Sequence, residues 1–350
     1  VQSADPTAQT DMNAELVVGN DDTLGAGVAV GGGLSERVSG RFSIQRYQGN
    51  GFYDNVSLGI DDSNERQELT ARGKLHWDLG KDWQAKLAVL YADFDNGYDA
   101  WSPENGRITF SDNPGRDEQQ TTGASLRFSG PIGGAAEFVS ITGFAESDIL
   151  FSYDGEWGDA AYWSPYGYDY IYSDNRDRRS LTQEFRLVSL PGQGLFNGRS
   201  DWVLGVYGQS LDESDDILSA GLYDDSVDAP WSWCAPCIDY STLQSDYDSS
   251  NLSVFGRLDS DLNERLSLDV GLRLRQPGQA HGRARGLQLR RRPRLHQRRH
   301  RRLPADREAR VHQLFPRVRH RRVSRRRRHG NGQAPRSGRG DGRRREHGPR

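Results

Sequence analysis

Two cysteines, Cys234 and Cys237, are separated by two residues. Of all the motifs in this sequence, this spacing indicates a chemical function most clearly. Cys-X-X-Cys pairs carry out thiol–disulfide exchange in thioredoxin-like folds, bind metals, or form structural disulfides. This pair lies in a long polar segment, 215–245, which lacks the βαβ pattern of a thioredoxin-like unit. A disulfide that closes a loop fits an oxidising compartment. We therefore predict a Cys234–Cys237 disulfide, with metal binding and redox catalysis as the alternatives.

Tyr and Trp are unusually frequent in the long polar segments of the sequence, and solubility alone does not require aromatic residues there. Tyr and Trp rings there could bind a ferric chelate, a glycan or another bulky ligand, because they offer large flat surfaces with a polar tip. The alternative is that many of them only pack the loops. The predicted ligand-binding residues are Trp101, Trp157, Tyr162, Trp163, Trp231 and Trp233.

Acidic residues cluster in the same segments, and carboxylates of this kind can bind calcium. None of the clusters has the spacing of an EF-hand loop. We therefore predict that most are solvent-exposed loop charge, and we assign no metal ligand. The clusters are Asp61-Asp62, Asp212-Glu213, Asp215-Asp216 and Asp224-Asp225-Asp228.

The sequence contains no recognisable catalytic site. It has no Ser, His and Asp arrangement typical of a hydrolase, and His76 is the only histidine within residues 1–275. The run Gly31-Gly32-Gly33 opens a turn rather than a helix, so it is not a nucleotide-binding fingerprint. We predict that the protein is not an enzyme and uses no cofactor.

The elements that would position these residues are strands, because apolar and polar residues alternate with a period of two. From Leu69 to Asp78, for example, Leu, Ala, Gly, Leu and Trp interleave with Thr, Arg, Lys, His and Asp. Successive side chains of a strand point to opposite faces, so one face is apolar and the other charged. The eleven predicted strands are 12–20, 24–33, 37–48, 67–80, 82–95, 119–130, 134–149, 179–190, 200–214, 246–261 and 264–275.

The connections between these strands alternate between short turns and, after the first, long loops. The long ones are 49–66, 96–118, 150–178 and 215–245. Strands of this kind with alternating turn lengths are typical of an antiparallel, up-and-down transmembrane β-barrel. A soluble sandwich also alternates but has no reason to lengthen every second loop. No segment approaches the roughly 20 apolar residues of a membrane helix.

Charge divides the chain at about residue 275. Residues 276–350 contain 26 Arg, no Lys and four acidic residues, whereas residues 1–275 have a net charge of −25. An Arg-rich arm that binds nucleic acid is one interpretation. We favour the interpretation that the tail is a frameshift product. When the reading frame shifts by one base, aspartate codons can become arginine codons, so an acidic segment would become rich in Arg. Either way, the tail is predicted to be disordered, and we expect no nucleic-acid partner.

Several segments together resemble the barrel of a TonB-dependent receptor. The start of the chain, Val1–Thr7, is similar to the exit from the plug domain, and Gly33–Val38 is similar to the first periplasmic turn. The segment Tyr47–Asn55 resembles the second extracellular loop, and Ser180–Ser189 resembles a mid-barrel strand. The resemblance covers residues 1–275.

This resemblance implies an outer-membrane receptor for active uptake of a scarce ligand, most simply a ferric siderophore. Its partners would be the lipid of the Gram-negative outer membrane and the TonB–ExbB–ExbD complex, which acts through an N-terminal part that this sequence lacks. Such receptors have a plug and about 22 strands, so the chain is expected to be a partial barrel. The alternative is a passive porin or a structural barrel.

Overall fold

Long antiparallel strands account for most of the computed structural model, which describes residues 3–228, 236–263, 266–277 and 281–291. The strands are β1 Asp11–Val18, β2 Leu24–Ser35, β3 Val38–Gly49, β4 Asp54–Asn55, β5 Arg66–Gly80, β6 Trp83–Tyr98, β7 Ile108–Thr109, β8 Gly115–Ile132, β9 Ala136–Asp154, β10 Gly167–Ser189, β11 Ser200–Asp224, β12 Cys237–Asn263, β13 Leu266–Pro277 and β14 His281–Arg291. Two single-turn helices, α1 Ala160–Trp163 and α2 Leu195–Gly198, lie in connections.

The main sheet is a meander in which each long strand pairs with its neighbours in sequence. Its order is β1-β2-β3-β5-β6-β8-β9-β10-β11-β12-β13, and every one of these pairings is antiparallel. The eleven strands predicted from the alternation are therefore confirmed, together with their order. The two-residue strands β4 and β7 form a separate parallel pair within the long loops.

One face of the sheet is apolar and exposed. Leu75 and Trp77 on β5 are 41% and 53% exposed, and Leu272 on β13 is 67% exposed. Arg72 and Lys74 alternate with them on β5 and are less exposed. This is the predicted register, in which the leucines face outward, and it suits a sheet whose apolar side meets lipid.

The polar face carries the first residues of the chain. The Lys74 Nζ donates to the backbone oxygens of Ser3 (2.8 Å) and Ala4 (3.1 Å) and pairs with Asp5 at 3.0 Å. The Lys86 Nζ pairs with the other carboxylate oxygen of Asp5 at 3.0 Å. These contacts hold the segment before β1 against the polar side of β5 and β6.

Several strands are longer than the alternation predicts, and this corrects the predicted loops. β10 begins at Gly167 rather than 179, β11 ends at Asp224 rather than 214, and β12 begins at Cys237 rather than 246. Charge pairs and stacked tyrosines between neighbouring strands extend β10 and β11. Arg176 on β10 bonds Asp215 on β11 at 2.6 Å, so acidic residues expected in a loop lie within a ladder.

The predicted end of the strands at Arg275 is also wrong. β13 continues to Pro277, and β14 follows at His281–Arg291. β13 pairs with β12 from Asn251 onward, and β14 pairs with β12 from Asp248 back to Ile238. Backbone N–H and C=O groups along an edge can pair with a segment that lacks strict alternation, which the alternation argument did not consider. Residues 292–350, also predicted to be disordered, lie outside the described residues.

Within the described part of the chain, no helix has the length and apolar character needed to cross a membrane.

Candidate ligand-binding site

The long connections at one end of the sheet are tied together by buried carboxylates. Asp99, just after β6, is fully buried, and its Oδ2 accepts hydrogen bonds from three side chains. These donors are the Asn55 amide at 2.9 Å and the hydroxyls of Ser63 and Thr109, both at 2.7 Å. Donors from two separate loops converge on this one oxygen, so Asp99 fixes the loops against each other.

A second buried carboxylate, Asp154 at the end of β9, orders the next loop. Its Oδ2 accepts from the Ser111 hydroxyl at 2.7 Å and from the Asp112 backbone N–H at 3.2 Å. Its Oδ1 accepts from the N–H groups of Glu156 and Trp157, both at 3.3 Å. The chain then turns at Trp157, whose φ is +59°.

The short helix α1 presents two further aromatic residues. Asp159 caps it by accepting from the Tyr162 N–H at 2.7 Å, and the same carboxylate accepts from the Ser57 hydroxyl at 2.6 Å. The hydrogen bond from Ser57 holds the pKa of Asp159 below its usual value. The Trp163 Nε1–H donates to the Glu156 carbonyl at 3.1 Å and fixes that ring.

These contacts assemble an open aromatic pocket of about 500 Å³. Trp157 stacks on Tyr153 with ring centroids 5.6 Å apart and lies 6.5 Å from Trp101. Trp163 meets the edge of Tyr168 at 5.2 Å, and Tyr168 stacks on Tyr223 at 5.1 Å. The lining residues are Trp101, Gly155, Glu156, Trp157, Trp163, Tyr168, Tyr170 and Tyr223.

Three of the predicted ligand-binding residues, Trp101, Trp157 and Trp163, line this pocket. Tyr162 does not line it but stacks on Phe110 at 4.8 Å and supports Trp163 at 5.1 Å. Trp231 and Trp233 lie outside the described residues. A ligand-binding role for the six residues stays a prediction.

The predicted disulfide is also still a prediction. Cys237 is the first residue of β12 and is 3% exposed. No free cysteine is found in the described part of the chain. Cys234 lies outside it.

Tyr168, Tyr170 and Tyr223 also line the pocket, although they are not among the six predicted residues. Tyr166, Tyr168, Tyr170 and Tyr172 recur at every second residue, and that spacing was the available signal that they share one face of a strand. In the structure, β10 places the last three on a ladder with β11, and Tyr172 also pairs with β9.

Three acidic residues beside the pocket form a group. The sequence did not indicate this group, because its members do not follow a short motif. Asp112, Asp154 and Glu156 each bring a carboxylate oxygen within 4.8 Å of the others. Burial is the main cause that raises the pKa of Glu156 to about 9, and the adjacent carboxylate of Asp154 is the second cause. Burial and the charge of Asp154 raise the pKa of Asp112 to about 6.

No family model and no curated protein matches this chain. Among solved structures, the ferric yersiniabactin uptake receptor FyuA from Yersinia pestis is similar over 81% of this chain and 44% of its own, with a TM-score of 0.50 and 15% identity. The siderophore receptor PiuA from Acinetobacter baumannii is similar over 81% of this chain and 47% of its own, with a TM-score of 0.50 and 10% identity.

The fold is that of the antiparallel β-barrel found in these two outer-membrane proteins. This confirms the predicted antiparallel barrel sheet and, at the level of the fold, the resemblance to TonB-dependent receptors. The chain spans less than half the length of either receptor. Within the receptor-barrel fold, the aromatic pocket lies among the long connections, at the end of the sheet opposite the short turns.

Proposed function

We propose that this chain is part of an outer-membrane receptor that captures a scarce ligand, a ferric siderophore, for active uptake. The observation that carries the proposal is the aromatic pocket, built on the long loops of a receptor-barrel fold. The sheet's exposed apolar face would lie in the lipid of the Gram-negative outer membrane, which leaves the loops to meet the ligand outside.

The size and chemistry of the pocket suit a chelate. Its volume of about 500 Å³ lies within the range of small-molecule sites. Trp101, Trp157 and Trp163 offer ring faces for planar groups, and the tyrosine hydroxyls offer donors to a chelate's oxygen atoms. The two similar solved structures are a ferric yersiniabactin receptor and a siderophore receptor, which supports this ligand class.

The energy for uptake would come from the TonB–ExbB–ExbD complex. This partner follows from the resemblance to TonB-dependent receptors, in which a plug and a periplasmic coupling box transmit the force. The polar side of β5 and β6, which holds the segment before β1, is the face toward which such a plug would lie.

Ligand capture can be tested by titrating the purified chain in detergent with a panel of ferric siderophores and following tryptophan fluorescence. We expect at least one chelate to quench the signal, and Trp157→Ala to weaken its binding about tenfold, a loss of about 1.4 kcal/mol. Trp77→Ala is the matched control, because Trp77 is 53% exposed on the apolar face, away from the pocket. Equal affinities for both variants would refute the pocket as the binding site. Binding of no chelate would refute the ligand class.

A further inference from the structure

We propose that Asp112, Asp154 and Glu156 form a binding site for a calcium ion that joins two loops at the edge of the aromatic pocket. Asp112 lies in the connection before β8, whereas Asp154 ends β9 and Glu156 follows it. The site therefore brings together ligands from two separate connections. It is independent of the identity of the ligand taken up.

The first observation is the spacing of the oxygens. One carboxylate oxygen from each residue lies within 4.8 Å of the other two. Calcium binds oxygen at about 2.3–2.6 Å, so two oxygens on one ion lie at most about 5 Å apart. Three carboxylates at this spacing can therefore reach a single ion with small shifts of their side chains.

The second, independent observation is an unsatisfied buried atom. Glu156 is 6% exposed, and its Oε1 has no hydrogen-bond partner. The other oxygen, Oε2, accepts from the Tyr170 N–H at 2.5 Å, which fixes the carboxylate in place. The same side chain lies against the carboxylate of Asp154. A buried acceptor without a donor is unfavourable, and a cation beside it would supply the missing partner.

Within the described part of the chain, the three carboxylates have no cationic side chain as an ion-pair partner. No Lys, Arg or His of the described residues forms an ion pair with Asp112, Asp154 or Glu156. Asp159 and Asp169 add further negative potential at Asp112. Asp112 itself is exposed, so an ion can enter from solvent. A ligand set of carboxylate oxygens on irregular connections suits calcium better than magnesium, which demands strict octahedral geometry.

A bound ion would order the aromatic pocket. The backbone N–H of Trp157 donates to Asp154, and the carbonyl of Glu156 accepts from the Trp163 indole. The position of both rings thus depends on the turn that the Asp154 carboxylate holds through the N–H groups of Glu156 and Trp157. Without the ion, the carboxylates of Asp154 and Glu156 repel each other unless they share a proton.

The purified chain in detergent allows a direct test with terbium, a calcium substitute whose emission is sensitised by nearby tryptophan. We expect terbium luminescence from Trp157 and Trp163, displacement by calcium at lower concentration than by magnesium, and a rise in Tm on calcium addition. Glu156→Gln and Asp112→Asn should each weaken terbium binding by at least about tenfold, as expected for the loss of a ligand. Asp61→Asn is the control, because Asp61 is an exposed acidic loop residue outside the site.

The results separate the site from its alternatives. Asp112→Asn changes an exposed side chain, so this variant decides the question even if Glu156→Gln does not fold. Wild-type chain that shows neither sensitised emission nor a calcium-dependent Tm would overturn the proposal and leave a proton shared between Asp154 and Glu156. Equal weakening by Asp61→Asn would show that the ion binds only diffuse surface charge, and would also overturn it.

Discussion

Individual aspartates decide how the loops of this protein are held. Asp99 and Asp154 are both fully buried, and each gathers hydroxyl or backbone donors from other segments of the loop region. Asp159 does the same at the surface, where it caps α1 and binds Ser57. The carboxylate of Asp159 accepts these bonds in its charged form, so its contribution to stability depends on pH.

Replacing Asp159 by alanine should loosen α1 and speed amide exchange at Tyr162. Loss of a helix cap costs about 0.5–2 kcal/mol. Because the pKa of Asp159 is lowered from 3.8 in the folded chain, its stabilisation is complete above that value and disappears as pH falls through the folded pKa. Hydrogen exchange followed by mass spectrometry at neutral and acidic pH measures both effects.

The neighbouring variant Ser57→Ala provides the control for this mechanism. It removes the hydrogen bond that lowers the pKa most, so the loosening of α1 should begin at a higher pH than in the wild type. An unchanged pH profile in Ser57→Ala would mean that Asp159 acts on α1 without help from the Ser57 loop.

At the scale of the strands, alternation was sufficient to predict which segments form the sheet and in what order. All eleven long strands lie where the alternation of apolar and polar residues predicted them. Each strand has an apolar face, and contact between that face and water is unfavourable. The ends of β10, β11 and β12 could not be predicted in this way. There, pairs such as Arg176–Asp215 and stacked tyrosines such as Tyr168–Tyr223 hold the ladder, and these contacts are visible only once the register is known.

The pocket was predictable to the same extent. Tryptophans in long loops indicated which residues could meet a ligand, and three of them line one cavity. The acidic group beside them was not predictable, because Asp112 lies 42 residues before Asp154. Only the pairing of β8 with β9 brings the two together.

Charge placed on the apolar face should destabilise the sheet, whereas charge on the polar face should not. Phe185 on β10 lies on the apolar face and is 47% exposed. Thr182 lies on the opposite, polar face of the same strand, which it shares with Glu184. We expect Phe185→Arg to cost about 2–4 kcal/mol if it lies near mid-bilayer, and Thr182→Arg to cost much less. Urea unfolding of the two variants from lipid vesicles measures the difference. Similar losses would contradict the assignment of the lipid face.

At the scale of the whole molecule, the sheet as described has two edges. β1 pairs only with β2, and the last edge is formed by β13 and β14 on β12. Unpaired N–H and C=O groups are costly in lipid, which is why membrane-spanning sheets close into barrels. We therefore propose that further strands complete this sheet in the membrane. The chain's coverage of 44% and 47% of the two similar receptors supports that proposal.

The DNA that follows codon 275 is the place where such further strands could be encoded. We propose that residues 276–350 derive largely from a shifted reading frame, because they contain 26 Arg and no Lys, Tyr, Trp or Ile. The pairing of β14 with β12 is carried by backbone groups, so it does not require that His281–Arg291 has the native side chains.

Reading the DNA downstream of codon 275 in all three frames tests this proposal. We expect one alternative frame to restore apolar and polar alternation, long loops after every second strand, and strands that end in an aromatic residue. If none of the frames gives strands, the Arg-rich segment is a genuine part of the protein. RNA affinity that falls steeply with salt, as counterion release requires, would then identify it as a nucleic-acid-binding arm. Protein made from the corrected frame should instead resist unfolding in detergent more strongly than this chain, because the edge of β12 and β13 would gain paired strands.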